Sequence, residues 1–103
     1  MAQPVYLVYF LKYKDPWYKL TTEEQDKILS QTAVNLKQVG GESVIICRSG
    51  WASAEWRYWG VEKYPDIEAV QKRSDILNNM NWGEYAEVKS CLGVETSPPV
   101  IVG

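Results

Sequence analysis

The sequence predicts an α+β fold in which four strands form one antiparallel sheet and two helices cover one of its faces. Three observations carry this reading. β-Branched and aromatic runs alternate with runs of helical period in the order strand, helix, strand, strand, helix, strand. Each helical run carries its own start and stop signals. The 103 residues suit a single small domain, read over 1–103, with 95–103 as a C-terminal tail.

Residues 4–13, PVYLVYFLKY, read as the first strand. Val5, Leu7, Tyr9 and Leu11 point one way, and Tyr6, Val8 and Phe10 the other, so both faces are apolar and both call for cover. Asp15-Pro16 marks a turn. Thr21 with Glu24, or Thr22 with Gln25, has capping-box spacing and opens a helix, and Glu23 and Glu24 suit its positive end. Ile28, Leu29, Thr32, Ala33, Leu36 and Val39 share one stripe, and Gly40-Gly41 stops the helix. Residues 43–48, SVIICR, form a second strand, and a loop from Gly50 leads to a third over 55–63. Pro65-Asp66 starts the second helix, with Ile67, Val70, Ile76, Leu77 and Met80 on its buried side and Gly83 at its end. Residues 85–92 form the fourth strand. The tail contains Pro98-Pro99 and ends in the apolar triplet Val100-Ile101-Val102.

This order is the split βαβ, ferredoxin-like pattern βαββαβ, which places the strands in the spatial order fourth, first, third, second. Cys47 and Cys91 then lie on opposite edges, too far apart for an intrachain disulfide. Two helices leave the second face of the central first strand bare, and the rest of the chain is too short to cover it. The expectation is a homodimer with sheets packed face to face and the tail reaching across to the partner. Burying one tryptophan removes roughly 150–250 Å², about 4–6 kcal/mol gross at about 25 cal/mol per Å², so a few such rings would make the dimer obligate.

The element order, the Tyr/Phe-rich first strand and the run YPDIEAVQKRSDILNNMNWGEYAEVKSCLG resemble the dimeric α+β barrel superfamily, in its branch of small uncharacterised proteins. The likeness covers residues 4 to 93. It implies the same fold, homodimerisation through sheet faces and, for an enzyme, cofactor-free monooxygenase or isomerase chemistry. Haem-dependent branches use a histidine ligand and YciI-like proteins a His–Asp pair. This chain has no histidine.

That absence also removes a histidine general base, nucleophile–histidine triads and most transition-metal sites. No carboxylate cluster has metal-loop spacing, and no glycine-rich phosphate loop follows a strand. We therefore expect neither metal nor cofactor. A net charge of −2 with no basic patch argues against nucleic acid as a partner. No apolar window of about 18 residues exists, and Met1-Ala2-Gln3-Pro4 lacks the features of a signal peptide, so no membrane partner is expected and the location expected is cytoplasmic.

Candidate ligand-binding residues are Arg48, Trp56, Tyr58, Trp59, Arg57 and Tyr9; no catalytic residue is assigned. An arginine at the end of an apolar strand could clamp a carboxylate or enolate oxygen, or simply sit in solvent. The rings could line an apolar pocket with polar tips, or fill core and interface. Strict alternation along 55–63 sends Trp56 and Trp59 to opposite faces. Glu62 or Glu87 could serve as a base if buried beside a ring. Two functions follow: a homodimer binding a small apolar or aromatic molecule, or a non-catalytic structural or regulatory dimer.

Overall fold

The computed structural model describes residues 3–97. The apolar triplet of the tail lies outside them, as does the contact with a partner expected of it. Four strands form one antiparallel sheet: β1 (Val5–Tyr13), β2 (Glu42–Arg48), β3 (Tyr58–Tyr64) and β4 (Ala86–Val94). Their spatial order is β2-β3-β1-β4, which from the β4 edge reads fourth, first, third, second. The two cysteines thus fall on opposite edge strands, and both are free thiols.

Two long helices, α2 (Thr22–Gln38) and α3 (Ile67–Asn79), lie on one face. Leu36 of α2, Val39 directly after it, and Ala69 and Val70 of α3 pack with Leu7 and Tyr64 of the sheet. Of the two possible caps, Thr21 is the one used. Its hydroxyl accepts from the Glu24 N–H at 3.1 Å, and the Glu24 carboxylate accepts from the Thr21 N–H at 2.8 Å. At the other end Gly40 takes φ +81°, open to glycine without penalty. This lets the Gly41 N–H reach the Leu36 carbonyl and the Gly40 N–H that of Lys37, a Schellman closure. Asp66 caps α3 by accepting from the Ala69 N–H at 2.8 Å.

Among the described residues there are four helices where two were expected. The additional ones are single turns, α1 (Asp15–Tyr18) and α4 (Trp82–Tyr85). Asp15-Pro16 opens a helical turn rather than a simple bend because Trp17 is driven inward. Its ring stacks on Tyr13 at 4.4 Å and meets Trp82 edge-on at 6.2 Å. Tyr85, read as a strand residue, closes α4 and touches Trp17. Asn81 precedes α4 with φ 58°, a left-handed conformation that asparagine tolerates better than most residues.

The buried stripes also differ from the expected ones. Leu29 and Ile67 are exposed, while Asn35 and Arg73 are buried. The third strand begins at Tyr58 rather than Glu55. Ser53 is the reason: its hydroxyl accepts from the N–H groups of Glu55 and Trp56, at 3.3 and 3.0 Å. Such local bonds compete with a strand ladder. None of the described helices is long and apolar enough to cross a membrane.

Candidate functional site

Alternation along the strands sends Val5, Leu7, Leu11 and Tyr64 under the helices and Tyr6, Val8 and Phe10 to the opposite face. On that open face the register builds cross-strand rows. Ile45, Val61, Val8 and Cys91 form one, and Cys47, Trp59, Phe10 and Lys89 the next. Val8, Phe10 and Ile45 are 36%, 37% and 46% exposed, although the first two sit on the central strand. Charged rows flank this band. On one side Lys63 stands 5.8 Å from the Tyr6 ring, with Glu42 beside it. On the other, Lys12 pairs with Glu87 at 3.2 Å. A groove of about 450 Å³ runs over Tyr6, Val8, Cys91 and Gly93 toward the β4 edge.

Trp56 and Trp59 share this open face, contrary to strict alternation. Trp59 stands opposite Phe10 in the register, and the Trp56 ring lies 6.0 Å from the same Phe10. Lys12, also on the open side, sits 5.2 Å from the Trp56 ring. The Ser53 turn breaks the strand period before Tyr58 and so returns Trp56 to the side of Trp59.

The helix face holds a different chemistry. Arg73, 6% exposed, donates from Nε to Asn35 Oδ1 at 2.7 Å and from Nη1 to Glu62 Oε1 at 2.9 Å and Tyr64 Oη at 2.8 Å. Its Nη2 donates to the Thr32 carbonyl at 3.1 Å, and the Tyr64 hydroxyl donates to Glu62 Oε1 at 2.8 Å. Burial works against the Arg73 charge, but Glu62 and Tyr64 outweigh it and raise the pKa further. Burial first, and the Glu62 charge second, push the Tyr64 phenol up to about 12. Every fully buried side-chain polar atom among the described residues has a partner. Glu62 Oε1 accepts both hydrogen bonds, so the carboxylate takes part in a clamp between α2, α3 and β3.

The other candidates are dispersed. Tyr9 lies on the helix face, its hydroxyl over Gly60, where a Cβ would come within 2.6 Å of Tyr9 Oη and 2.7 Å of the Ile45 carbonyl. Burial, then Glu62, raises the Tyr9 pKa, so the phenol stays neutral. Tyr58 meets Tyr13 edge-on at 6.0 Å, within the ring cluster around Trp17. Burial followed by the neighbouring Tyr58 takes the Tyr13 phenol up to about 12. Arg48 and Arg57 are exposed, and the Arg57 stem lies against Gly50. The candidates thus occupy the open face (Trp56, Trp59), the helix side (Tyr9, Tyr58) and the rim at the β2–β3 loop (Arg48, Arg57).

Sequence reading missed Arg73, Asn35 and Tyr64. A signal existed: Arg73 follows Ala69 by four and precedes Leu77 by four, so it interrupts the inner stripe of α3, and Glu62 shares the helix-facing side of β3. Among the described residues no group of three histidine, cysteine or acidic side chains is placed to hold a metal ion.

Fold and site together define a small α+β protein with one satisfied and one open sheet face. No family model matches the chain, and no curated protein matches it.

Proposed function

We propose that the protein is a cytoplasmic homodimer of the ferredoxin-like, dimeric α+β barrel type, which binds a small apolar or aromatic molecule between two facing sheets. One observation carries this reading: the apolar band of Val8, Phe10, Ile45, Trp59 and Val61 lies on the sheet face opposite the helices. Contiguous apolar surface of this kind marks an interaction site. A second sheet would cover it and close over the open groove above Tyr6 and Val8. Trp56 and Trp59 supply rings, with Lys12 and Lys63 as polar tips at the rim. If the protein is an enzyme, its chemistry is cofactor-free, of monooxygenase or isomerase type.

The second reading is a structural or regulatory dimer without catalysis. It is favoured by the ring cluster of Tyr13, Trp17, Trp82 and Tyr85, where aromatics plainly serve packing.

Sedimentation of the protein and of Val8→Lys at micromolar concentration tests the face contact. A dimer that becomes lighter in the variant supports it; identical sedimentation of the two sinks it. Titration with 1-naphthol, read by tryptophan fluorescence and calorimetry, separates the two functions. Saturable binding that Trp59→Leu abolishes supports the ligand reading, and no binding leaves the structural one.

A further inference from the structure

We propose that Val100-Ile101-Val102 return antiparallel along the free edge of β4 of their own chain, as a fifth strand, with Ile101 walling the groove above Tyr6. Among the described residues β4 pairs only with β1, and such an outer edge is a template for another strand. The segment 98–103, outside the described residues, carries the apolar triplet, and it departs from β4 itself. Val94 is the last residue of that strand. Glu95, Thr96 and Ser97 follow it and border one groove with Gln3 and Pro4, at the start of β1.

The edge offers what an apolar triplet can cover. Leu92 and Val94 are 45% and 51% exposed, and they share the helix side of the sheet with their register partners Leu7 and Val5. Between them Gly93 faces the open side, opposite Tyr6. No described atom lies within 4 Å of the place a Gly93 Cβ would take. A glycine inside a strand often marks the close approach of another segment. The groove over Tyr6, Val8, Cys91 and Gly93 extends to Glu95, so it opens toward the point where the tail sets off.

The prolines set the register. Pro98 and Pro99 have no N–H to give and do not sit inside a ladder, so both fall in the connection. The shortest connection that begins at the end of β4 and holds them is 95–99, about the upper length of common hairpin loops. Val100 then stands opposite Val94, Ile101 opposite Gly93 and Val102 opposite Leu92. Val100 and Val102 extend the apolar side of Val94 and Leu92, and Ile101 fills the space over Gly93 beside Tyr6. A slip of one residue either brings Pro99 into the ladder or sets Val100 beyond the end of β4, so the register is specified. Three residues lead from Val94 to Ser97 and three more to Val100. Each leg spans at most ~11 Å, so the second can retrace the first. Tethering favours the chain's own edge, because a short link holds the triplet near it at millimolar effective concentration. The strand does not depend on whether the groove takes a ligand.

The test compares two cysteine pairs in a Cys47→Ser/Cys91→Ser background, followed by intact mass and non-reducing electrophoresis. Gly93→Cys/Ile101→Cys sets two cysteines directly opposite, with Cα atoms about 4.5–5.5 Å apart, inside the ~4.4–6.8 Å disulfide range. Gly93→Cys/Val100→Cys has nearly the same tether but sends the two side chains to opposite faces. Under mild oxidation the first pair should close within one chain about ten-fold faster than the second, since tethering alone would bring both together equally. Equal rates overturn the proposal. A cross-link formed mainly between chains, the outcome expected of a tail that reaches a partner, overturns it as well. Hydrogen exchange of the unsubstituted protein decides independently of how these variants fold. At least one amide of Val100–Val102 should exchange about ten-fold or more slowly than in an unstructured chain. All three exchanging at the unstructured rate overturn the strand.

Discussion

The two faces of the sheet use the same strands to opposite ends. Under the helices, Arg73 joins Glu62, Tyr64 and Asn35 in one hydrogen-bonded network, with Leu36, Ala69 and Leu7 in the packed core of that face. On the other side, Val8 and Phe10 of the central strand stay open, and the charges stand at the rim. A residue on β1 therefore meets a finished environment at odd positions and an unfinished one at even positions. The difference teaches where a function can reside. The finished face has little left to offer a ligand beyond the Tyr9 hydroxyl, whereas the open face has apolar surface in search of a cover.

The sharpest way to break this comparison is to remove Arg73. Arg73→Met leaves the Glu62 carboxylate, Tyr64 hydroxyl and Asn35 amide buried without their common partner. Losing one member of a buried ion pair costs about 3–5 kcal/mol, so urea unfolding should show a loss of that size. Arg73→Met/Glu62→Leu removes both charges and should recover much of it, because a buried pair replaced by apolar groups is often neutral. If the double variant is no better than the single, the network's worth lies in packing and not in charge satisfaction.

Gly60→Ala comes next. The added methyl meets the Tyr9 hydroxyl, which can swing away, and the Ile45 carbonyl, which belongs to the adjacent strand. Overpacking of this kind costs about 1–3 kcal/mol. Tyr9→Phe in addition should not rescue it, since the backbone clash persists. Full rescue would show that the ring alone fills the space above Gly60.

These two sites also show what was legible in the sequence and why the rest was not. Strand and helix order, the Thr21 cap and the Gly40-Gly41 stop rest on local signals, such as period, capping spacing and a positive φ, and these are written within a few residues of one another. The Arg73 clamp joins residues 35, 62, 64 and 73, so no window contains it. Its traces are a charge interrupting the apolar stripe of α3 and a second charge on the inner side of β3. The common face of Trp56 and Trp59 was hidden differently. One serine hydroxyl, that of Ser53, resets the strand period, and alternation rules assume no such interruption.

Tyrosine ionisation gives a smaller, pH-dependent contrast. The Tyr64 and Tyr13 phenols are held up to about 12 in the folded protein, against about 10 in an unfolded chain. The unfolded state therefore loses its protons first. Stability from these groups is intact below pH ~10 and declines as the pH rises from there through about 12. Chemical denaturation across that range should show the decline, and Tyr64→Phe should flatten it. A wild-type stability that is level to pH ~12 would mean that burial on the helix face is looser than described.

The smallest effect belongs to the open face. Lys12 pairs with Glu87 at 3.2 Å with both side chains substantially exposed, and it also stands over the Trp56 ring. Exposed ion pairs are worth about 0–1 kcal/mol and are screened by salt, and an exposed cation over a ring adds about 0.5–1 kcal/mol. Lys12→Gln should therefore cost the isolated subunit about 1 kcal/mol or less, measured at a dilution where copies separate, and added salt should shrink the cost. A loss near that of Arg73→Met would mean that Lys12 is already desolvated within one chain, and the distinction between a finished and an open face would fail at its rim.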